Sequence, residues 1–142
     1  MTDQDLDIKT HHDVYSTIDP KTTLRESALG KTIFISGASR GIGQATAVAF
    51  AQAGAKAVYI IARSEEGLKE TKEKITETNF ETKCEYMICD VTKAEDVKKA
   101  VDDCITKFGS IDVADANAGY LEKWVKIAES DVKSWWKSFE VN

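Results

Sequence analysis

The sequence has few cysteines, and they form no recognisable pattern. Cys84, Cys89 and Cys104 show no C-x-x-C spacing, and their odd number does not suggest a disulfide framework. Such cysteines are typical of reduced thiols in an intracellular compartment, so we expect a cytoplasmic protein. The two histidines, His11 and His12, are adjacent in a polar stretch with no further ligand nearby. We therefore predict no metal site.

Long apolar runs and an excess of positive charge are also missing. No stretch approaches the ~20 apolar residues of a membrane span, and the first 30 residues contain no apolar segment of a secretory signal. The net charge is −5, and no basic stripe with interleaved aromatic residues is present. We therefore expect neither membrane nor nucleic-acid binding. At 142 residues, the chain is at most one domain, long enough to bury a sizeable core.

What is present is a cluster of glycines after a short apolar run. Residues 32–36 predict a buried parallel strand, and Gly37, Gly41 and Gly43 follow it before an apolar helix. Glycine permits a positive φ, and without a Cβ it lets backbone N–H groups approach a pyrophosphate. The N-terminus of the helix would add unpaired donors and a partial positive charge. A glycine-rich turn without a ligand is the alternative, but a second apolar strand at residues 57–62 favours a dinucleotide site.

Predicted strands and helices alternate along the rest of the chain. The predicted strands lie at residues 32–36, 57–62, 83–89 and 111–116, and the predicted helices at about residues 41–53, 65–78, 93–107 and 131–142. The predicted N-cap residues are Ser64, Thr92 and Ser130. Side chains expected to face the core are Ile42, Ala45, Ala49, Phe50, Leu68, Ile75, Val97, Val101, Cys104 and Ile105. We divide the chain into a polar N-terminal extension, residues 1–28, and a domain formed by residues 29–142.

Two arginines favour NADP over NAD. A carboxylate after the second strand would bind the adenosine ribose 2′-hydroxyl, whereas an arginine there accommodates a 2′-phosphate. Arg63 occupies that position, Arg40 lies within the glycine turn, and the first acidic residue after the strand is Glu65. Two guanidinium groups near one phosphate suit the bidentate recognition that arginine offers. The alternative is that Arg63 is only a solvated charge.

Four motifs in order resemble those of the classical short-chain dehydrogenases/reductases. They are the glycine turn at residues 37–43, Cys89-Asp-Val-Thr92, Asn117-Ala-Gly119 and Trp135-Trp-Lys-Ser-Phe-Glu-Val-Asn142. The resemblance covers residues 29–142, about half of a full family member. It implies an α/β fold, a three-layer Rossmann-type parallel sheet with strand order 3-2-1-4, ending after about four strands. The cofactor-binding residues that the turn, the arginines and the resemblance indicate are Gly37, Ser39, Arg40, Gly41, Ile42, Gly43, Arg63, Ser64, Asp90, Val91, Asn117, Ala118 and Gly119.

The resemblance also implies a reaction, reversible hydride transfer between a nicotinamide cofactor and an alcohol or ketone, in a protein that is usually homo-oligomeric. The family's catalytic quartet is Asn, Ser, Tyr and Lys, and only the asparagine has a counterpart, Asn142. No tyrosine is followed four residues later by lysine. We therefore expect the chain alone to be inactive, whether it is a fragment, a truncated gene product or a mispredicted frame. A non-catalytic NADP(H)-binding module is the alternative function. Asp115 departs from the family, whose fourth strand is apolar at this point.

Overall fold

The computed structural model describes residues 11–142. The first ten residues of the predicted extension lie outside the described residues. Residues 11–28 contain a 3₁₀ turn, Ser16–Ile18, followed by further turns. Ala28 is buried, and its N–H donates to the carbonyl of Ala53 at 3.0 Å. The end of the polar segment is therefore already attached to the domain.

A parallel four-stranded sheet forms the middle layer, with strands β1 (Thr32–Ser36), β2 (Ala57–Ala62), β3 (Lys83–Ile88) and β4 (Val113–Asp115). Their order is β3-β2-β1-β4, as expected. All five residues of β1 and all six of β2 are buried, because both strands are central and covered on both faces. The ranges predicted for β1 and β2 are confirmed, and those for β3 and β4 were too long.

The edge position of β4 explains its short length. It pairs only with β1, in the register Ile33 with Val113. One residue before β4, Asp112 bonds to Thr32 through both backbone and side chain: its N–H donates to the Thr32 carbonyl at 2.9 Å, and its Oδ2 accepts from the Thr32 N–H at 2.8 Å. Val113 is partly exposed and Asp115 is half-buried. A carboxylate in this edge strand is less costly than in the central strand of a covered sheet.

Within the described residues, four helices cover the sheet or follow it. They are α1 (Gly41–Gln52), α2 (Glu65–Thr78), α3 (Ala94–Phe108) and α4 (Val132–Val141), and a 3₁₀ turn, Ile127–Glu129, precedes the last. α1 and α2 pack on one face of β1 and β2, in a core cluster that includes Ala47, Ala51, Leu68 and Ile75. α3 packs on the opposite face, where Ala100 and Cys104 meet Phe34 and Tyr59. The expected three-layer arrangement is thus confirmed.

The buried face of α1 differs from the predicted one. Ile42 was expected in the core but is 78% exposed, whereas Gly43, Ala47 and Ala51 are buried. The helix is rotated because Gly43 is packed against Asn117 and the backbone of Gly37 and Ala38, which turns the preceding residue outward. In α3, the predicted Cys104 is buried, but Ile105 is 45% exposed.

Two of the three predicted N-caps were wrong. Ser64 does cap α2, with its side chain accepting from the N–H of Gly67. Thr92 does not cap α3, because its hydroxyl donates to Asp90 instead. At α4, Asp131 is the cap, whereas the Ser130 hydroxyl donates to Glu122 at 2.7 Å. In both cases the hydroxyl that was expected to cap the helix donates a hydrogen bond to a nearby carboxylate instead.

Candidate functional site

A cleft of about 690 Å³ lies at the carboxyl ends of the parallel strands. This is the edge at which open α/β sheets bind ligands. The structure brings all thirteen predicted cofactor-binding residues to this one cleft, although the sequence spreads them over four segments. Ala62, Cys89 and Val141 complete the lining. That these residues bind a cofactor remains a prediction.

The turn between β1 and α1, residues 37–43 (the glycine turn), forms one wall. Gly37 and Gly41 have positive φ values of 68° and 59°, which only glycine adopts without strain. A Cβ at Gly37 would lie 2.8 Å from the Cα of Ala118, so the turn touches the segment after β4. A Cβ at Gly41 would meet no atom within 4 Å. Gly41 therefore leaves free space on the cleft side of the turn.

Gly43 lines the cleft and is also tightly packed against the rest of the protein. A Cβ there would clash with the Asn117 amide nitrogen, and would lie 2.7 Å from the Gly37 carbonyl oxygen and 3.0 Å from the Cα of Ala38. The neighbours are parts of the protein itself. Gly43 is needed for packing between the turn and the segment after β4.

Asn117 and a residue that the sequence analysis missed, Ser36, hold that packing together. The Asn117 Nδ2 donates to the Ser36 carbonyl oxygen at 2.8 Å. The Ser36 Oγ accepts from the N–H of Ala118 at 3.0 Å and donates to the carbonyl of Asp115 at 3.3 Å. The only sequence signal was a hydroxyl residue at the last position of a mainly apolar strand. These bonds fix the distance between two cleft walls.

The N-terminus of α1 faces the cleft without a capping side chain. Arg40 is at its N-cap position, and no side chain there accepts from the first N–H groups of the helix. α2 and α4 differ, since Ser64 and Asp131 cap them. The first N–H groups of a helix have no partner within it, and with the helix dipole they favour an anion. Within the described residues, no N-cap side chain occupies these donors, so the cleft offers N–H groups suited to an anion.

Two exposed arginines lie at the cleft, Arg40 and Arg63. Within residues 11–142, neither guanidinium forms an ion pair with an acidic side chain. Arg63 follows the last residue of β2, and Ser64 comes next as the cap of α2. This part of the cleft therefore carries two cations that form no ion pair within residues 11–142.

Asp90 is the one carboxylate among the predicted cofactor-binding residues. Asp90 accepts from both the hydroxyl and the N–H of Thr92, at 2.8 and 3.1 Å. These two hydrogen bonds, with smaller effects of Lys93 and Arg63, hold the pKa of Asp90 below its usual value. Asp90 is therefore an ionised acceptor, held in one orientation after β3.

The side-chain amide of Asn142 forms three hydrogen bonds. Its Oδ1 accepts from the Tyr120 N–H at 3.1 Å, and its Nδ2 donates to the carbonyls of Tyr120 and Ser138 at 2.8 and 2.7 Å. The side-chain amide thereby connects the end of α4 to the segment after Gly119. Val141, one residue earlier, lines the cleft.

α2 also contacts the glycine turn, which the sequence analysis did not predict. Thr71 is fully buried, and its Oγ1 lies 2.8 Å from the carbonyl oxygen of Ala38. A threonine in a helix that is otherwise heavily charged was the only signal. Elsewhere, the described residues contain no cluster of potential metal ligands and no helix able to cross a membrane.

Comparison with known proteins assigns these features to a family. The model of the short chain dehydrogenase family matches residues 31–142. The chain is 40% identical over 137 residues to the short chain dehydrogenase citE of Monascus ruber, covering 94% of this chain and 46% of that protein. It is 34% identical over 142 residues to the short chain dehydrogenase tazN of Aspergillus terreus, covering 99% of this chain and 30% of that one. The chain thus spans less than half the length of these relatives.

Solved structures give the same result. The NAD⁺-bound xylitol dehydrogenase superposes with a TM-score of 0.76 at 27% identity, covering 80% of this chain and 43% of that one. The alcohol dehydrogenase of the archaeon Thermococcus sibiricus, in complex with 5-hydroxy-NADP, superposes with a TM-score of 0.72 at 34% identity, covering 78% and 46%. One neighbour was solved with NAD⁺ and the other with an NADP derivative.

Proposed function

The chain belongs to the short chain dehydrogenase family, and on this premise we propose that it binds NADP. We further propose that it forms the cofactor-binding part of an oxidoreductase. The proposed reaction is reversible hydride transfer between the nicotinamide and an alcohol or ketone. We expect the whole protein to be cytoplasmic and homo-oligomeric, and we place the start of its cofactor domain at residue 29.

The preference for NADP rests on one observation, the two arginines at the cleft that form no ion pair within residues 11–142. Family membership leaves the choice open, because the structural neighbours include both cofactor types. At the end of β2, where a carboxylate would favour NAD, the chain has Arg63. Arg40 lies in the turn opposite, and both arginines line the same cleft. A 2′-phosphate between them would receive charge-assisted hydrogen bonds from both guanidinium groups.

The other cleft residues suit the rest of the cofactor. The uncapped N-terminus of α1 would bind the pyrophosphate, and Gly41 leaves space for its approach. Asp90 would accept from a donor on the adenine. When bound, NADP supplies the hydride or accepts it. Asn142 would hold the end of α4 against the nicotinamide side of the cleft through its bonds to Tyr120.

The proposal is tested by replacing Arg63 with aspartate and titrating the purified chain with NADPH and NADH. A carboxylate repels a 2′-phosphate and accepts from a 2′-hydroxyl, so we expect the affinity ratio of NADPH to NADH to fall by about tenfold or more. Arg25→Asp is the control, because it makes the same charge change at an exposed residue that does not line the cleft. A ratio that falls equally in both variants, or in neither, would show that Arg63 is only a surface charge.

A second function, a non-catalytic NADP(H)-binding module, is favoured by the absence of Tyr-x-x-x-Lys from the 142 residues. Hydride delivery to a carbonyl builds negative charge on oxygen, and a positioned acid typically contributes ~10²–10⁴-fold. We expect purified residues 1–142 to oxidise no NADPH with a panel of ketones and aldehydes. Turnover that co-purifies with the protein and disappears in Asn142→Ala would instead show catalysis by these residues. The coding sequence after Asn142 separates the two functions, because a continuing frame with Tyr-x-x-x-Lys indicates the enzyme.

A further inference from the structure

The glycine turn is fixed on two sides, and the second side is formed by α2. On the first side, Asn117 and Ser36 connect the turn to the segment after β4. On the second side, the Thr71 Oγ1 lies 2.8 Å from the carbonyl oxygens of both Ala38 and Gly67. The same oxygen accepts a hydrogen bond from the Gln44 Nε2 at 2.9 Å, so the hydroxyl hydrogen of Thr71 is free to be donated to these carbonyls. Thr71 thereby connects α2 to α1 and to the turn.

Gly67 brings the backbone of α2 directly against the same turn. A Cβ on Gly67 would lie 2.5 Å from the carbonyl oxygen of Ser39 and 2.9 Å from its Cβ. No real side chain tolerates such distances, so any other residue would displace the turn or the helix. A glycine inside a helix makes the helix less stable than alanine would, and Gly67 has no positive φ that would require a glycine. Close approach between α2 and the turn is the remaining reason.

These contacts set the relative position of the two arginines. Arg40 follows Ser39, the residue that Gly67 touches. Arg63 and Ser64 directly precede α2, and the Ser64 Oγ accepts from the N–H of Gly67 at 3.3 Å. A shift of α2 relative to the turn would therefore change the distance between the guanidinium groups. The contacts of the turn with Asn117 would not change, because they are on its other side.

We propose that Thr71, with Gly67, is a positioning residue that determines preference for the 2′-phosphate of the cofactor. This rests on the proposed function, since it requires that the cleft bind NADP between Arg40 and Arg63. Thr71 lies behind the turn and does not line the cleft. Its removal should therefore weaken the binding of NADPH, which would use both arginines, more than that of NADH, which lacks the 2′-phosphate.

The experiment compares three threonine variants of the full chain by titration with NADPH and with NADH. Thr71→Val keeps the shape of the side chain but removes the hydroxyl, and Thr71→Ser restores it. Thr76→Val is the matched control, because Thr76 is exposed on the same helix and its hydroxyl makes the same type of bond, to Lys72 at 2.9 Å. We expect Thr71→Val to lower the NADPH to NADH affinity ratio about fivefold, Thr71→Ser to retain most of it, and Thr76→Val to leave it unchanged.

Gly67→Ala is an independent variant in case Thr71→Val does not fold. We expect it to lower the same ratio, although alanine alone favours the helix. The wild-type titration separates the two proposals: equal affinity for both cofactors would overturn the NADP preference, and the inference with it. A wild-type preference for NADPH that both Thr71→Val and Gly67→Ala retain would overturn the inference and leave the proposed function intact. A loss of melting temperature without a change in ratio would likewise show a purely structural role.

Discussion

Replacing Gly43 with alanine should destabilise the fold, because the space for a Cβ is already occupied. The added carbon would clash with the Asn117 amide and approach the Gly37 carbonyl oxygen to 2.7 Å and the Ala38 Cα to 3.0 Å. Two of these three atoms belong to the backbone and cannot rotate away. Overpacking of this kind costs up to about 3 kcal/mol, and the better helix propensity of alanine returns about 1 kcal/mol. We expect a net loss of about 2 kcal/mol.

For a chain of this length, 1 kcal/mol corresponds to roughly 4 °C in melting temperature, so Gly43→Ala should melt about 8 °C below the wild type. Circular dichroism at 222 nm during heating measures it. The paired variant is Gly41→Ala, because a Cβ at Gly41 meets no atom within 4 Å and the only cost is its positive φ. That strain is about 1 kcal/mol, or about 4 °C. Since the new methyl group lies at the cleft, Gly41→Ala should also weaken NADPH binding.

Gly30→Ala controls for the backbone strain. Gly30 has a φ of 76°, its Cβ would also meet nothing within 4 Å, and it lies before β1, at the opposite end of the sheet from the cleft. It should melt like Gly41→Ala and bind NADPH like the wild type. The reasoning about packing fails if Gly43→Ala melts at the wild-type temperature. The assignment of the cleft fails if Gly41→Ala and Gly30→Ala bind NADPH equally well.

Two further predictions concern ionisable side chains. Hydrogen bonds from Lys107 and Tyr59 lower the pKa of Asp103, so its ionised form stabilises the folded state above the ordinary carboxyl pKa and loses this effect as the pH falls through the lowered value. The stability deficit of Asp103→Asn in urea unfolding should be largest at pH 7 and shrink between about pH 5 and pH 2; a deficit independent of pH would contradict this. Burial raises the pKa of the thiols of Cys84 and Cys104 to about 12 and about 11. Both should react slowly with a thiol reagent at pH 8 in the folded protein and rapidly after unfolding, so rapid native labelling would exclude this burial.

The sequence by itself determined the elements whose signals are local. The strands β1 and β2 are continuous apolar runs and begin and end where predicted. α2 ends at Thr78, as predicted, and its cap Ser64 accepts from Gly67, only three positions away. The parallel order of the sheet followed from the alternation of strands and helices and from the family resemblance. In each case the deciding residues are neighbours in the chain or members of a known pattern.

The tertiary structure alone decided which residues hold the candidate site in place. The contacts of Asn117 with the turn after β1 join positions 81 and 80 residues apart, and that of Thr71 with Ala38 spans 33. The clash that makes Gly43 necessary involves Asn117, so the local spacing of glycines could not reveal this packing contact. The same contact rotated α1 and exposed Ile42 against its apolar character. The spacing of apolar residues shows which side chains share a face of a helix. It does not show which face is buried, because that depends on close contacts between distant segments, and these exist only once the chain has folded.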